Sequence, residues 1–465
     1  MDFSLGEDII ITDYSKAVLD WCTEHLVFAN PDFLKKEAMG KWTGNTQRNI
    51  VLFELVGNKL IVPFGVYEDL YKTFRTEWNT VQSRIKPVER RKYASNINLY
   101  DYQQNAVNAA TRARNGILVA PCGSGKTQMG LEIVARLGVR TLWLTHTQDL
   151  LNQSMSRAKE CFGIDKSEYG TITEGKVNIG NTITFATVQT MCRIDLPKYR
   201  DCWDCIVVDE CHKCVGSPTN VMMFYKVLSN LSARYKYGLT ATPYRADGLE
   251  RTMFALLGNT ICTVPKEEVE DKTCPVKVSM MSTGFEPDVD KVTGGDGVLN
   301  YSKLIDEVIT DEDRNKFVAN AIYEAAWNGA VLVLSDRLQH LDVLENLVKS
   351  KIPRVARLGV AATKAARERR KRLLNALNDG ELSVVFATFK LAKEGLDVPN
   401  LRTIVFATPQ KDKATVIQSA GRVARKADGK KFGRVIDFID DFGIFYGYAS
   451  KRKKYYKSLN YEVEL

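Results

Sequence analysis

Pro121-Cys122-Gly123-Ser124-Gly125-Lys126-Thr127 is the segment of this chain best suited to hold an anion. Gly123 and Gly125 let the backbone approach a phosphate closely, and Ser124 stands between them as part of the same binding loop. N–H groups at a following helix start would point at the anion, and the helix dipole favours it there. Lys126 can reach the terminal phosphates of a nucleoside triphosphate, and the Thr127 hydroxyl can ligate Mg²⁺. Ala120 stands where such loops usually open with glycine. A second group is Val207-Val208-Asp209-Glu210-Cys211-His212, adjacent carboxylates closing an apolar run. Asp209 suits Mg²⁺, and Glu210 suits orienting or deprotonating an attacking water. His212, one of four histidines, reads as a polar core or interdomain contact. A third group is Gln418, Arg422 and Arg425, at four- and three-residue spacings that share one face of a helix. Two guanidiniums on one face can stabilise charge developing on a transferred phosphoryl group.

These residues need elements to hold them. Ile117-Leu118-Val119 precedes the glycine loop, and Met129, Leu131, Ile133, Val134 and Leu137 follow it in a helical pattern. Thr141-Leu142-Trp143-Leu144, Ile183-Thr184-Phe185 and Ile206-Val207-Val208 continue an alternation of short apolar runs with helical stretches. That alternation predicts βαβ units and a parallel sheet, whose ligand crevice lies at the carboxyl ends of its strands. After a loop at Thr293-Gly294-Gly295-Asp296-Gly297 it resumes, through Val384-Val385-Phe386 and Thr403-Ile404-Val405-Phe406. Three zones result. A small α+β amino-terminal domain is expected over residues 1–95, a first α/β domain over 96–272 and a second over 273–465.

Composition agrees with this organisation. The 465 residues are 45% hydrophobic and 26% charged, an ordinary globular balance that argues against collagen-like, coiled-coil and disordered chains. No stretch approaches the ~18 uncharged apolar residues of a membrane span. The first residues are acidic and lack a secretory pattern, so a cytoplasmic protein is expected. Cys202, Cys205, Cys211 and Cys214 imitate zinc-ligand spacing. The apolar run between the pairs would hold them about 17–20 Å apart if extended, so buried thiols are the preferred reading.

The formal charge of +9 permits a polyanionic partner. Residues 33–95 carry twelve basic and six acidic side chains. Lys35, Lys36, Lys41, Arg48 and Arg90-Arg91-Lys92 suit duplex phosphates. Trp42 beside them reads first as a core or hairpin tryptophan and second as a base-stacking platform. Arg367, Arg369, Arg370, Lys371 and Arg372 read as a solvated helix face. Lys451 to Lys454, set among Tyr446, Tyr448, Tyr455 and Tyr456, fit single-strand contacts or a packing helix with a charged edge.

Taken together, the motifs resemble those of superfamily-two helicases. The blocks are Tyr102-Gln103, Ala120 to Thr127, Phe185-Ala186-Thr187, Asp209-Glu210-Cys211-His212, Thr240-Ala241-Thr242, Thr388 through Gly395-Leu396-Asp397-Val398-Pro399, and Gln418 to Arg425. They stand in the family's order. The resemblance is to the DExH branch and implies two tandem RecA-like parallel-sheet domains with ATP between them. It also implies that Gln103 contacts adenine, that Gly395 and Asp397 belong to the nucleotide site, and that Arg422 and Arg425 act as arginine fingers. Thr240 and Thr242 would couple hydrolysis to movement. Thr145, Thr187, Gln189, Arg245 and Thr388 would lie along the nucleic-acid track. Asn30-Pro31-Asp32-Phe33, Gly40-Lys41-Trp42-Thr43-Gly44 and the run from Asn58 to Gly65 are similar to the amino-terminal domain of phage recombination helicases of the UvsW type.

The expectation is therefore a monomeric ATP- and Mg²⁺-dependent DNA motor that remodels branched or forked duplexes, in the host cytoplasm if phage-encoded. Single-strand-binding or recombination proteins are its expected partners. An RNA helicase, a restriction-system motor subunit and a non-motor ATP-gated DNA clamp are the rival readings.

Overall fold

The computed structural model describes residues 1–121, 123–162, 168–173, 175–244, 247–270, 273–294, 298–359, 363–393 and 398–465. The chain divides into two compact units, Met1–Glu268 and Val269–Leu465.

The first unit opens with a five-stranded sheet in the order Glu54–Val56, Lys59–Pro63, Asp8–Thr12, Asp2–Leu5, Thr80–Ser83. Ile9 and Ile11 alternate inward along Asp8–Thr12, the period of a half-buried strand. The helix Lys16–Leu26 covers that face through Val18, Cys22 and Leu26. A second sheet of eight strands follows in the order Lys176–Asn178, Tyr169–Thr173, Ile183–Thr187, Thr141–Thr145, Cys205–Asp209, Tyr235–Thr240, Asn115–Val119, Thr260–Thr263. Every pairing in it is parallel except the one between Lys176–Asn178 and Tyr169–Thr173. Its central strands are buried throughout, which is why they read as unbroken apolar runs.

The two sheets of this unit share one continuous hydrophobic core, running from Met1 and Phe3 to Leu256 and Leu257. Gly65 makes the contact close. A methyl group there would fall 2.5 Å from the Ala255 carbonyl oxygen and the Gly258 nitrogen. Buried Lys236 donates to the Glu7 carbonyl at 2.9 Å, and Glu7 also pairs with Arg84 and Arg200. The amino-terminal sheet is thus fused to the first parallel sheet by apolar packing and charge.

The second unit holds a seven-stranded sheet in the order Val355–Arg357, Val384–Thr388, Val331–Ser335, Thr403–Phe406, Gly433–Ile439, Val276–Ser282, Glu462–Glu464. All its pairings are parallel. Helices cover both faces, with separate cores on either side. No described helix is long and apolar enough to cross a membrane.

Candidate active site

The phosphate loop lies between the strand Asn115–Val119 and the helix Lys126–Leu137. Gly123 and Gly125 adopt φ of +85° and +79°, where a side chain is strained. A Cβ on Gly125 would also fall 2.4 Å from Nε2 of Gln103. Gln103 braces the loop: its Nε2 donates to the Ser124 carbonyl at 2.7 Å, and its Oε1 accepts from the Tyr100 amide at 3.0 Å. The Tyr102 hydroxyl donates to the same Ser124 carbonyl at 3.1 Å. The buried Ser124 hydroxyl has no hydrogen-bond partner among the described residues. Lys126 is buried and donates to the carbonyls of Ala120 and Pro121 at 3.3 Å.

Asp209 ends the strand Cys205–Asp209, next but one in the sheet to Asn115–Val119. The shared strand register brings its carboxylate to the loop. The Thr127 and Ser154 hydroxyls both donate to Oδ2 of Asp209 at 3.2 Å. Burial and the neighbouring Glu210 push the Asp209 carboxyl up to about 6, against the opposing pull of Lys126, Ser154 and Thr127. Glu210 adopts φ of +50°, uncommon outside glycine, as the chain turns from strand into the short helix Cys211–Val215. Its Oε1 lies 3.7 Å from the Lys126 ammonium.

The donor set fits a hard cation. The Thr127 and Asp209 oxygens are separated by about the edge of an octahedron with ~2.1 Å Mg–O bonds. Mg²⁺ commonly takes only one or two protein ligands, and no cluster of three or more His, Cys, Asp or Glu forms a metal site among the described residues. Bound with a triphosphate, Mg²⁺ would neutralise phosphate charge. Thr127 and Asp209 would hold it, Lys126 would face the phosphates, and Glu210 is placed for a water.

His212 links this group to the next strand. Its Nδ1 is 2.9 Å from the Thr240 hydroxyl and 3.4 Å from Oε2 of Glu210. The Thr242 amide donates to the same Thr240 hydroxyl at 3.1 Å. Thr145 and Thr187 are register partners at the ends of adjacent strands. The Thr145 hydroxyl donates to the Thr147 carbonyl, and Thr187 caps the helix Val188–Met191. Gln189 hydrogen-bonds the His146 ring at 3.0 Å. Of the supporting groups, Ser154 carries no local sequence signal. Its partner, Asp209, lies 55 residues away.

In the second unit the helix Lys413–Ala420 ends before the arginines. Gly421–Ala424 tightens into a 3₁₀ turn, and Arg425 is extended at φ −69°, ψ 134°. The single helical face expected for Gln418, Arg422 and Arg425 is therefore corrected. The buried Val423 holds the turn in place, and Arg425 lies beyond it. Arg422 and Arg425 both line a cavity with Leu332, Leu374, Leu377, Val398 and Leu401. Thr388 closes the strand Val384–Thr388, its hydroxyl accepting from the Leu391 amide. Arg245, Gly395 and Asp397 lie outside the described residues, as do Gly295, Asp296 and Gly297.

Two readings of basic and aromatic segments change, and of the two kept open for the tail the structure shows the packing helix. Trp42 is not a core residue, being 88% exposed. Arg370 turns inward and donates to the Leu391 carbonyl, whereas Arg369, Lys371 and Arg372 are solvated. The tail forms a packing helix, Gly443–Lys457. In it Arg452 is buried on Asp437 at 2.7 Å, and the Tyr456 hydroxyl donates to the same carboxylate. Cys205, Cys211 and Cys214 are buried free thiols. Cys211 contacts Met253 and lies beyond the far end of the Cys205–Asp209 strand from Cys205.

A glycine loop opening a helix, faced by a strand-end Asp-Glu pair in a parallel sheet, defines a RecA-like nucleotide-binding ATPase. Residues 96–245 match the family model described as type III restriction enzyme, res subunit, and residues 313–427 match the helicase conserved C-terminal domain. The chain belongs to the superfamily-two helicases, the nucleic-acid-dependent ATPases built on these paired domains.

A protein of Acanthamoeba polyphaga mimivirus named as an ATP-dependent RNA helicase is 26% identical over 75% of this chain and 65% of its own length. The chain thus spans just under two thirds of that relative. The DNA 3'-5' translocase XPB2 of Sulfurisphaera tokodaii is 25% identical over 83% of this chain and 90% of its own. The S. cerevisiae Dbp5 structure bound to RNA and ADP BeF3 shares the fold, with a TM-score of 0.59 and 18% identity over 79% of this chain and 90% of that one.

Proposed function

We propose that this chain is an ATP-driven DNA translocase that remodels branched duplexes, as helicases of the UvsW type do. The observation that carries the motor reading is the joint placement of Lys126 and Thr127 against Glu210 and Asp209. ATP and Mg²⁺ occupy this site, with Gln103 toward the adenine, and the family resemblance assigns Gly395 and Asp397 to nucleotide binding. Gln418, Arg422 and Arg425 supply the charge that stabilises the transferred phosphoryl group. Thr240 and Thr242, tied to the site through His212, pass the state of the nucleotide to the strand-gripping residues. Those are Thr145, Thr187, Gln189, Arg245 and Thr388.

The preference for DNA branches is assigned to the amino-terminal region, where Lys41 and Trp42 are exposed in the loop between the helix Pro31–Ala38 and the strand Asn49–Val51. Phe28, Ile50 and Leu52 of this region share a core with the ATP-binding domain, so a grip there moves with the motor. The relative named as a DNA translocase, which aligns over most of its own length, supports DNA over RNA. The mimivirus relative's name keeps an RNA helicase as the second reading. The protein is taken to work as a monomer in the cytoplasm, alongside recombination or single-strand-binding proteins.

The test compares ATPase stimulation by single-stranded, duplex, forked and four-way DNA and by RNA. Forked and four-way DNA should stimulate most. Stimulation by RNA alone would replace this reading with the second, and turnover near zero with every polynucleotide would favour an ATP-gated clamp.

A further inference from the structure

Trp42 is the most exposed large apolar side chain among the described residues of the first unit. A tryptophan left in water forgoes the burial that large aromatics usually find. Its loop is ordered by its own contacts. Residues 39–48 join the helix Pro31–Ala38 to the strand Asn49–Val51. The Lys41 amide donates to the Lys36 carbonyl at 2.9 Å, the Thr46 amide to the Thr43 carbonyl at 3.1 Å, and Lys36 Nζ to the Thr46 hydroxyl at 2.7 Å. Gly40 and Gly44 turn at φ +61° and +56°. The six-membered ring of Trp42 rests against Gly44, where an added methyl would sit 3.2 Å away. The loop thus holds an indole out on a short, braced stalk.

Its surroundings suit a polyanion. Residues 33–48 carry Lys35, Lys36, Lys41 and Arg48 against the single acidic Glu37. Leu34 in the preceding helix and Met39 at its end are exposed as well. The chain leading into this segment is pinned to the ATP-binding domain, since Arg251 donates to the Glu24 and His25 carbonyls and lies 5.5 Å from the Phe28 ring.

A flat ring beside lysines matches a nucleobase beside its phosphates. Bases inside a duplex have both faces occupied, so only an unpaired base or the last pair at a junction offers a free face. We propose that Trp42 stacks on the outermost base at a single-strand/double-strand junction and is the strand-separating element of this motor. This deepens the reading of the chain as a DNA motor and rests on it.

The test uses the full-length protein on a fork carrying 2-aminopurine at the junction or ten pairs inside the duplex (a placement chosen as about one helical turn). Strands separated per ATP hydrolysed are measured with Trp42→Ala, Trp42→Phe and, as control, Trp327→Ala. Trp327 is 90% exposed on the other unit. The wild type should perturb the junction probe alone. Trp42→Ala should lose that signal and separate roughly tenfold fewer strands per ATP, the scale of one lost base–aromatic stack. Trp42→Phe should recover much of both, and Trp327→Ala should match the wild type. Wild-type separation per ATP in Trp42→Ala would overturn the wedge while leaving the motor reading intact. A wild type whose hydrolysis no polynucleotide stimulates would sink the motor reading itself.

Discussion

The Thr127 hydroxyl and the Asp209 carboxylate meet at 3.2 Å across 82 residues of sequence. One opens a helix and the other closes a strand, and sheet register alone brings them together. Asp209→Asn keeps the shape and removes the charge that would balance Mg²⁺. Hydrolysis should fall on the order of 10²-fold or more, because metal-borne charge stabilisation is worth several kcal/mol. Steady-state ATPase across a Mg²⁺ titration checks this. A variant that reaches the wild-type rate at ordinary Mg²⁺ would remove Asp209 from the site.

Lys126 separates chemistry from grip. Its ammonium is buried among the Ala120 and Pro121 carbonyls and the Glu210 carboxylate, whereas Lys41 and Trp42 are exposed. Lys126→Ala should abolish ATP hydrolysis while leaving much of the DNA affinity. Fluorescence anisotropy on forked DNA, run beside the ATPase assay, reads both. Retained DNA-stimulated hydrolysis would refute the assignment.

The contrast between these residues shows what the sequence could convey. The strand Cys205–Asp209 was legible because Ile206, Val207 and Val208 are buried on both faces, so its pattern is local. The neighbouring strand Tyr235–Thr240 was harder to see. It carries Lys236, whose carbonyl partner at Glu7 lies 229 residues away. The inward turn of Arg370 and the burial of Arg452 were hidden for the same reason, since their partners are distant in sequence. Trp42 failed in the opposite direction. A tryptophan is ordinarily core, and only the braced loop keeps this one in solvent. Ser154 gave no sign of its bond to Asp209, because a serine within a helix is common.

His340 makes the second unit acid-sensitive. It is fully buried, with Nε2 2.9 Å from Oδ1 of Asn315 and Nδ1 3.1 Å from the Ser335 hydroxyl. Burial, with help from Arg314, drives its ring down to about 3. The folded ring stays neutral while the unfolded one takes a proton below about 6.5, so the unfolded state binds more protons between those limits. Stability is therefore full above that range and falls as pH drops through it, by about 2 kcal/mol at pH 5 from this group. Denaturant unfolding of the wild type and His340→Gln at pH 7 and pH 5 isolates the effect. The wild type should lose more between the two, and equal losses would show that His340 does not titrate in this way.

Arg314 and Asp440 test how charge is tolerated inside the same unit. Both side chains are fully buried, with Nε to Oδ1 at 2.6 Å and Nη2 to Oδ2 at 3.0 Å. Nη2 also donates to the Ala407 carbonyl, and Asp440 also accepts from the Thr283 hydroxyl at 2.7 Å. Arg314→Met strands the carboxylate in the core and should cost about 3–5 kcal/mol. Adding Asp440→Leu removes the stranded charge and should recover most of that loss, because desolvating the pair consumes much of its attraction. Denaturant unfolding of both single variants and the double one closes the cycle. Losses that simply add would mean that the two groups are not coupled, and the charge pair would then be no more than a packing contact.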